Sequence, residues 1–163
     1  MPDKPLAYHI TFGTYGCRLH GDPRGTVDRQ HNQYLDPVIA ENWDRELANQ
    51  ERLRFQRITL TSEQRLFIES ITLEICQRGA WQLFAVAAAP DHGHVCLSGE
   101  ADGKRIRTWF KRWLGERLSS RWTLQSGQTW WAEDGSVKWI FDEMNFKNVV
   151  KYIVDQKSTS MVD

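Results

Sequence analysis

Residues 81–99 read WQLFAVAAAPDHGHVCLSG, and the fold turns on how this stretch pairs with itself. Trp81 to Ala89 is apolar and strand-like despite its alanines, and Pro90 and Asp91 supply a turn. His92 to Leu97 then returns as a second strand. Strand side chains alternate faces with a period of two, so His92 and His94 share one side and Gly93 points to the other. Two neutral imidazoles side by side can serve as metal ligands.

Upstream, Leu6 to Gly16 is rich in β-branched and aromatic residues and ends in glycine, which predicts a first strand. Thr61 and Gln64 have the spacing of a capping box. Phe67, Ile68, Ile71 and Ile75 follow at helical spacing, and Gly79 is expected to end that helix. Downstream, Asp102 and Gly103 open a second helix running from Lys104 to about Trp122. Ile106, Trp109, Phe110, Trp113 and Leu118 form its apolar side, with Lys104, Arg105, Arg107, Lys111 and Arg112 on the other. Gln128 to Phe141 reads as strand, turn and strand, with the turn at Glu133 to Ser136. A last helix from Glu143 to about Lys157 buries Phe146, Val149, Val150 and Ile153. The order of elements predicts an α+β, ferredoxin-like antiparallel sheet with helices packed on one face.

The chain of 163 residues is read as one domain, 1–163, with an insertion or extended loop at about 17–60 that includes a short helix near 38–50. Lysine plus arginine equals aspartate plus glutamate at 21 each, so a nucleic-acid partner must be argued from local charge. No apolar run reaches membrane-spanning length and the N-terminus lacks a signal-peptide pattern, so a cytoplasmic protein with no membrane partner is expected. Cys17, Cys76 and Cys96 are odd in number and lack finger spacing, which argues against a disulfide framework.

On the last helix, Asn148, Tyr152 and Gln156 recur every four residues and share a face. If this helix packs near the His92–His94 strand, Gln156 completes a three-ligand set and Tyr152 points at whatever the metal holds. Phosphodiester transesterification wants such groups together: a cation for the charge on phosphate, and a phenol that gives up its proton and attacks. Lys151 or Lys147 would favour the phenolate.

His92-Gly93-His94, preceded by Pro90 and Asp91 and followed by a late helix carrying Tyr152 and Gln156, resembles the single-tyrosine HUH transposases. These include the insertion-sequence transposases and the REP-associated tyrosine transposases. The likeness covers most of the chain, since strand, capped helix, His-x-His strand, basic helix and tyrosine helix come in the family's order. The resemblance implies that His92 and His94 are metal ligands, Gln156 a further ligand and Tyr152 the nucleophile. It implies Mg²⁺ or Mn²⁺ as cofactor, and single-stranded DNA with a hairpin (palindromic) element as partner. It also implies an endonuclease and strand-transferase activity through a 5′-phosphotyrosine intermediate, in a monomer or a homodimer. Asn148 and Lys151 are supporting candidates. Lys104, Arg105, Arg107, Lys111 and Arg112 are candidate DNA-binding residues. One departure is Gly93, where the family usually has a bulky apolar residue. A glycine there leaves a hole, is filled by a tryptophan, or marks a bulge.

Blander expectations accompany these. His9, His20 and His31 are read as non-catalytic. Trp109 and Trp113 are expected in the core, while one of Trp130 and Trp131 is the better candidate for stacking on bases. Asp91 is either a turn residue or an acceptor that orients a histidine. The main alternative function is an inactive, domesticated module that binds structured DNA, with Gly93 as its support. A hydrolase using His92, His94 and water ranks last, because no acidic base accompanies them on that strand.

Overall fold

The structure is a computed structural model that describes residues 4–17 and 54–160. Most of the 17–60 insertion, including the helix expected near 38–50, lies outside the described residues. Four strands, β1 (Ala7–Gly13), β2 (Gln82–Ala88), β3 (His92–Ser98) and β4 (Ser136–Ile140), form one sheet in the order β2-β3-β1-β4. Every neighbouring pair is antiparallel. Helix α1 (Ser62–Gly79) connects β1 to β2 and α2 (Gly103–Ser119) connects β3 to β4. This is the ferredoxin-like double split arrangement expected from the sequence. Helix α3 (Glu143–Ser160) follows β4.

The helices are not all on one face. Tyr8, Ile10, Phe12, Val86, Val95 and Leu97 pack with Ile68 and Ile75 of α1 and Ile106 and Phe110 of α2. The opposite parity, Ala7, Ala85, Ala87, Cys96 and Ile140, packs on Ile153 of α3. The sheet is therefore apolar on both sides, and among the described residues α3 is the helix that covers the second one. A register shift between Leu83 and Ala85 adds a residue to β2. The extra residue, Phe84, meets Phe146 of α3 edge to face at 4.9 Å.

Local chemistry sets the ends of the elements. Thr61 Oγ1 accepts from the Gln64 N–H at 3.1 Å while the Thr61 N–H donates to Gln64 Oε1 at 2.9 Å, the reciprocal capping box. Gly79 is the last residue of α1, but Ala80 takes the left-handed cap at φ 59°. Gly79 is needed for another reason: a Cβ there would clash with the Trp81 indole. Asp142 Oδ1 accepts from the Asn145 N–H and starts α3.

Only the second half of the expected 128–141 hairpin is a strand. Trp131 makes a single bridge to Thr14, and Asp134 and Gly135 turn with positive φ into β4. No helix among the described residues is long and apolar enough to cross a membrane.

Candidate active site

The site lies on the α3 side of the sheet. His94 faces Thr11 across the β1–β3 ladder, and His92 faces Gly13. His9, two residues before Thr11, opens onto the same side. The ring centroids of His92 and His94 are 5.0 Å apart and those of His9 and His94 are 5.2 Å apart. Tyr152 of α3, half exposed, presents its ring edge to His94 at 5.4 Å and to His9 at 6.3 Å. The helix reaches this position because Ile153, its neighbour in sequence, is fully buried against the sheet.

Of the four residues expected to converge, His92, His94 and Tyr152 share one cluster of rings. Gln156 follows Tyr152 by one helical turn and is partly buried. Asn148 and Lys151 are exposed on α3, at angles well away from Ile153 on the helical wheel.

Each imidazole is oriented through Nδ1. His92 Nδ1 is 2.7 Å from Asp91 Oδ1, so the turn aspartate is an orienting acceptor. His94 Nδ1 is 3.1 Å from His9 Nε2 and 3.1 Å from Thr11 Oγ1. Burial, and then the Lys138 charge, push the His9 pKa down to about 4. His9 is therefore neutral at pH 7, and its Nε2 and the His94 Nδ1 share one hydrogen bond. The Asp91 carboxylate accepts from His92 Nδ1, which in the neutral ring leaves the lone pair on Nε2. Among the described residues, no group of three or more His, Cys, Asp and Glu side chains is placed to hold a metal ion.

His9 and Thr11 belong to this cluster, although His9 read as bland in the sequence. The available signal was the alternation of β1, in which Tyr8, Ile10 and Phe12 face the larger core and Ala7, His9 and Thr11 face the other side. Lys138, paired with His9 across β1 and β4 and exposed, adds a cation to the same side.

Gly93 is neither a hole nor a bulge, and no tryptophan fills it. Its cross-strand partner is Phe12, and the Phe12 ring lies where a side chain on Gly93 would go. Phe12 is in turn wedged by Phe110 at 5.4 Å and Trp131 at 5.1 Å. The ladder from Thr11–His94 to Gly13–His92 stays in register.

The basic helix divides. Arg107 is buried and donates to the Gly135 carbonyl at 3.3 Å. Lys111 Nζ donates to the carbonyls of Ala132 and Asp134 at 2.8 and 2.7 Å. These two side chains hold the 132–135 turn against α2. Lys104, Arg105 and Arg112 are exposed.

Trp113 packs partly buried against the core as expected, but the other three tryptophans singled out in the sequence depart from their expected places. Trp130 and Trp131 are buried, with indole N–H groups donating to Ser119 Oγ and the Lys111 carbonyl. Trp109, expected in the core, is 38% exposed.

No protein-family model matches the sequence, and no curated protein matches it. Among solved structures, the REP-associated tyrosine transposase bound to a REP hairpin is similar over 99% of this chain and 74% of that one, at 11% identity and a TM-score of 0.50. A provisionally assigned transposase from Deinococcus radiodurans R1 aligns over 94% of this chain and 92% of its own, at 17% identity and a TM-score of 0.48. At such identities the likeness is one of fold. The chain has the fold of the HUH tyrosine transposases, the family that its His92-Gly93-His94 and Tyr152–Gln156 motifs resemble.

Proposed function

We propose that this chain is a tyrosine transposase that cuts and rejoins single-stranded DNA beside a hairpin through a 5′-phosphotyrosine. The observation that carries this is the placement of Tyr152 against His94, with His92 beside it, all on one side of the sheet. His92 and His94 as neutral imidazoles, together with the Gln156 carboxamide, would hold a divalent ion such as Mg²⁺ or Mn²⁺. When bound, that ion supplies electrostatic stabilisation of the charge that builds on the phosphate.

The chain's own residues do the rest. The Tyr152 oxygen, having lost its proton, attacks phosphorus; the bond from phosphorus to O3′ breaks, and O3′ takes up a proton. The products are a tyrosine joined to the 5′ phosphate and a free 3′ hydroxyl, and the reverse step needs no ATP because one phosphoester replaces another. Asp91, His9 and Thr11 keep the imidazoles in a fixed orientation. Half exposure leaves the Tyr152 hydroxyl accessible to a strand in solution. The structural neighbour bound to a REP hairpin supports hairpin DNA as the partner. Lys104, Arg105 and Arg112 are the exposed cations available to its phosphates.

The alternative of binding without cutting rested on Gly93. With the Phe12 ring filling that space and the register kept, the glycine no longer favours it. The test is a hairpin oligonucleotide labelled at its 3′ end and incubated with the protein and Mg²⁺ or Mn²⁺. Label should migrate with the protein in a denaturing gel, and Tyr152→Phe should abolish it. Label retained by Tyr152→Phe, or none with wild type at any metal concentration, would sink the proposal.

A further inference from the structure

On the α1–α2 side of the sheet, at the end of the strands remote from His92, a pocket of about 220 Å³ is lined by Trp81, Trp109, Trp113, Ile106 and Arg105. Gly99, which borders Trp81 just past the end of β3, lies five positions beyond His94, roughly 17 Å along the strand direction. The pocket and the histidine cluster are thus separate sites on opposite faces.

Its walls are built around indoles. Trp81 is clamped between two glycines, since a Cβ on either Gly79 or Gly99 would clash with its ring atoms. Trp81 stacks on Trp113 at 5.3 Å and 23°, and Trp113 continues to Trp109 at 5.4 Å and 38°. Exposing Trp109 gives up the stabilisation that burial of an indole would bring.

The rim is cationic. The Arg78 guanidinium lies 4.4 Å over Trp113, and that of Arg112 lies 5.4 Å from Trp109. Arg105 lines the pocket itself and Lys104 is exposed next to it. Glu116 is the opposing charge, at 3.7 Å from Arg78 and 3.6 Å from Arg112, both exposed and loosely paired. Glu100 is paired with Lys4. Among the described residues, Arg105 has no carboxylate partner, and none of the side chains lining the pocket is acidic.

We infer that this pocket takes one unpaired nucleotide of single-stranded DNA, its base stacked on the exposed Trp109 beside Trp113 and its phosphate on Arg105. A flat π surface ringed by guanidinium groups recognises a planar base joined to an anion. The volume is below the ~300 Å³ of pockets for drug-sized ligands, which suits one ring system. The inference rests on the DNA reading for the class of ligand and is independent of the tyrosine chemistry.

The test uses the full chain and a 12-nucleotide single strand carrying 5-iododeoxyuridine and a fluorophore. Long-wave irradiation should cross-link the strand to the peptide holding Trp109 and Trp113. Trp109→Ala should weaken binding about tenfold, while Trp109→Phe stays within about threefold. Arg105→Ala, at the rim and outside the core, should weaken binding and lower the salt dependence by roughly 0.7 in log–log slope. Wild-type affinity in both Trp109→Ala and Arg105→Ala, or cross-links that map only elsewhere, would overturn the pocket. The hairpin adduct assay separates the two readings. Cross-linking at Trp109 with no adduct refutes only the Tyr152 chemistry, and an adduct without cross-linking refutes only the pocket.

Discussion

Replacing Gly93 by valine should destabilise the protein, and shrinking Phe12 should undo part of that damage. The Phe12 ring is fully buried, sits directly across the β1–β3 ladder from Gly93, and occupies the space a side chain on Gly93 would need. The ring cannot retreat, because Phe110 and Trp131 hold its far side. Forced overpacking of this kind costs about 1–3 kcal/mol, against a gain of less than ~1 kcal/mol from valine's strand preference. Phe12→Ala alone leaves a cavity and should cost ~3–5 kcal/mol. In the double variant, the valine fills part of the hole left by the ring. The loss should then fall short of the summed single losses by about 1–3 kcal/mol, a coupling well above the ~0.5 kcal/mol seen for independent sites. Urea unfolding followed by tryptophan fluorescence reads these values, and each kcal/mol should also move Tm by about 2–4 °C. Gly93→Val tolerated within ~0.5 kcal/mol, or strict additivity in the double variant, would refute the idea that Phe12 takes the place of a side chain at position 93.

Burial pushes the thiol of Cys76 up to about 12 and that of Cys96 up to about 11. The unfolded chain therefore loses these protons first: their stabilisation is intact below the ordinary thiol pKa and drains away as pH rises towards 11–12. Cys76→Ala should flatten the alkaline fall of the urea midpoint, and an unchanged slope would contradict this. Lys111→Met strips both hydrogen bonds from the 132–135 turn and should lower stability by about 1–3 kcal/mol in a thermal melt, without changing the salt dependence of DNA binding. A changed salt slope would instead place Lys111 on phosphate. Thr61→Ala removes half of the capping box and should cost ~1 kcal/mol, measured by the same melt. His9→Ala removes a hydrogen-bond partner from His94 Nδ1 and should slow adduct formation roughly 10- to 100-fold, with partial recovery in His9→Gln. Full speed in His9→Ala would make that contact incidental.

The strands and helices were legible because their patterns are local. The capping box, the alternation in β1 and the apolar stripe of α3 each lie within one element, and the antiparallel order follows from them. The distribution of helices over the two faces was not. It depends on which parity of each strand is apolar, and here both are, with alanines and Cys96 on the α3 side too small to register as a second core. The histidine–tyrosine cluster could be anticipated from two motifs nearly sixty residues apart. His9 could not, since a single strand histidine acquires meaning only when the register sets it beside His94. The tryptophans were misjudged for a similar reason. Burial of Trp130 and Trp131 depends on the irregular segment before β4, where the sequence suggested a strand. Arg107 and Lys111 look like surface charge until the turn they hold is seen.

The sheet divides the protein's interior into two unequal parts. The larger holds long aliphatic and aromatic side chains from three strands and two helices, whereas α3 is held by alanines, Cys96, Ile140 and one fully buried isoleucine, with Phe84 meeting Phe146 at the margin. Buried apolar area sets the free energy of local opening, so backbone amides should divide into two classes of hydrogen exchange. Those of β1, β3, α1 and α2 would exchange only when the whole domain unfolds. Those of α3 would exchange through a partial opening that lifts the helix and leaves the sheet intact. The residue proposed as nucleophile would thus ride, among the described residues, on the helix packed over the smaller apolar cluster, while the histidines beside it sit on a strand that also faces the larger one.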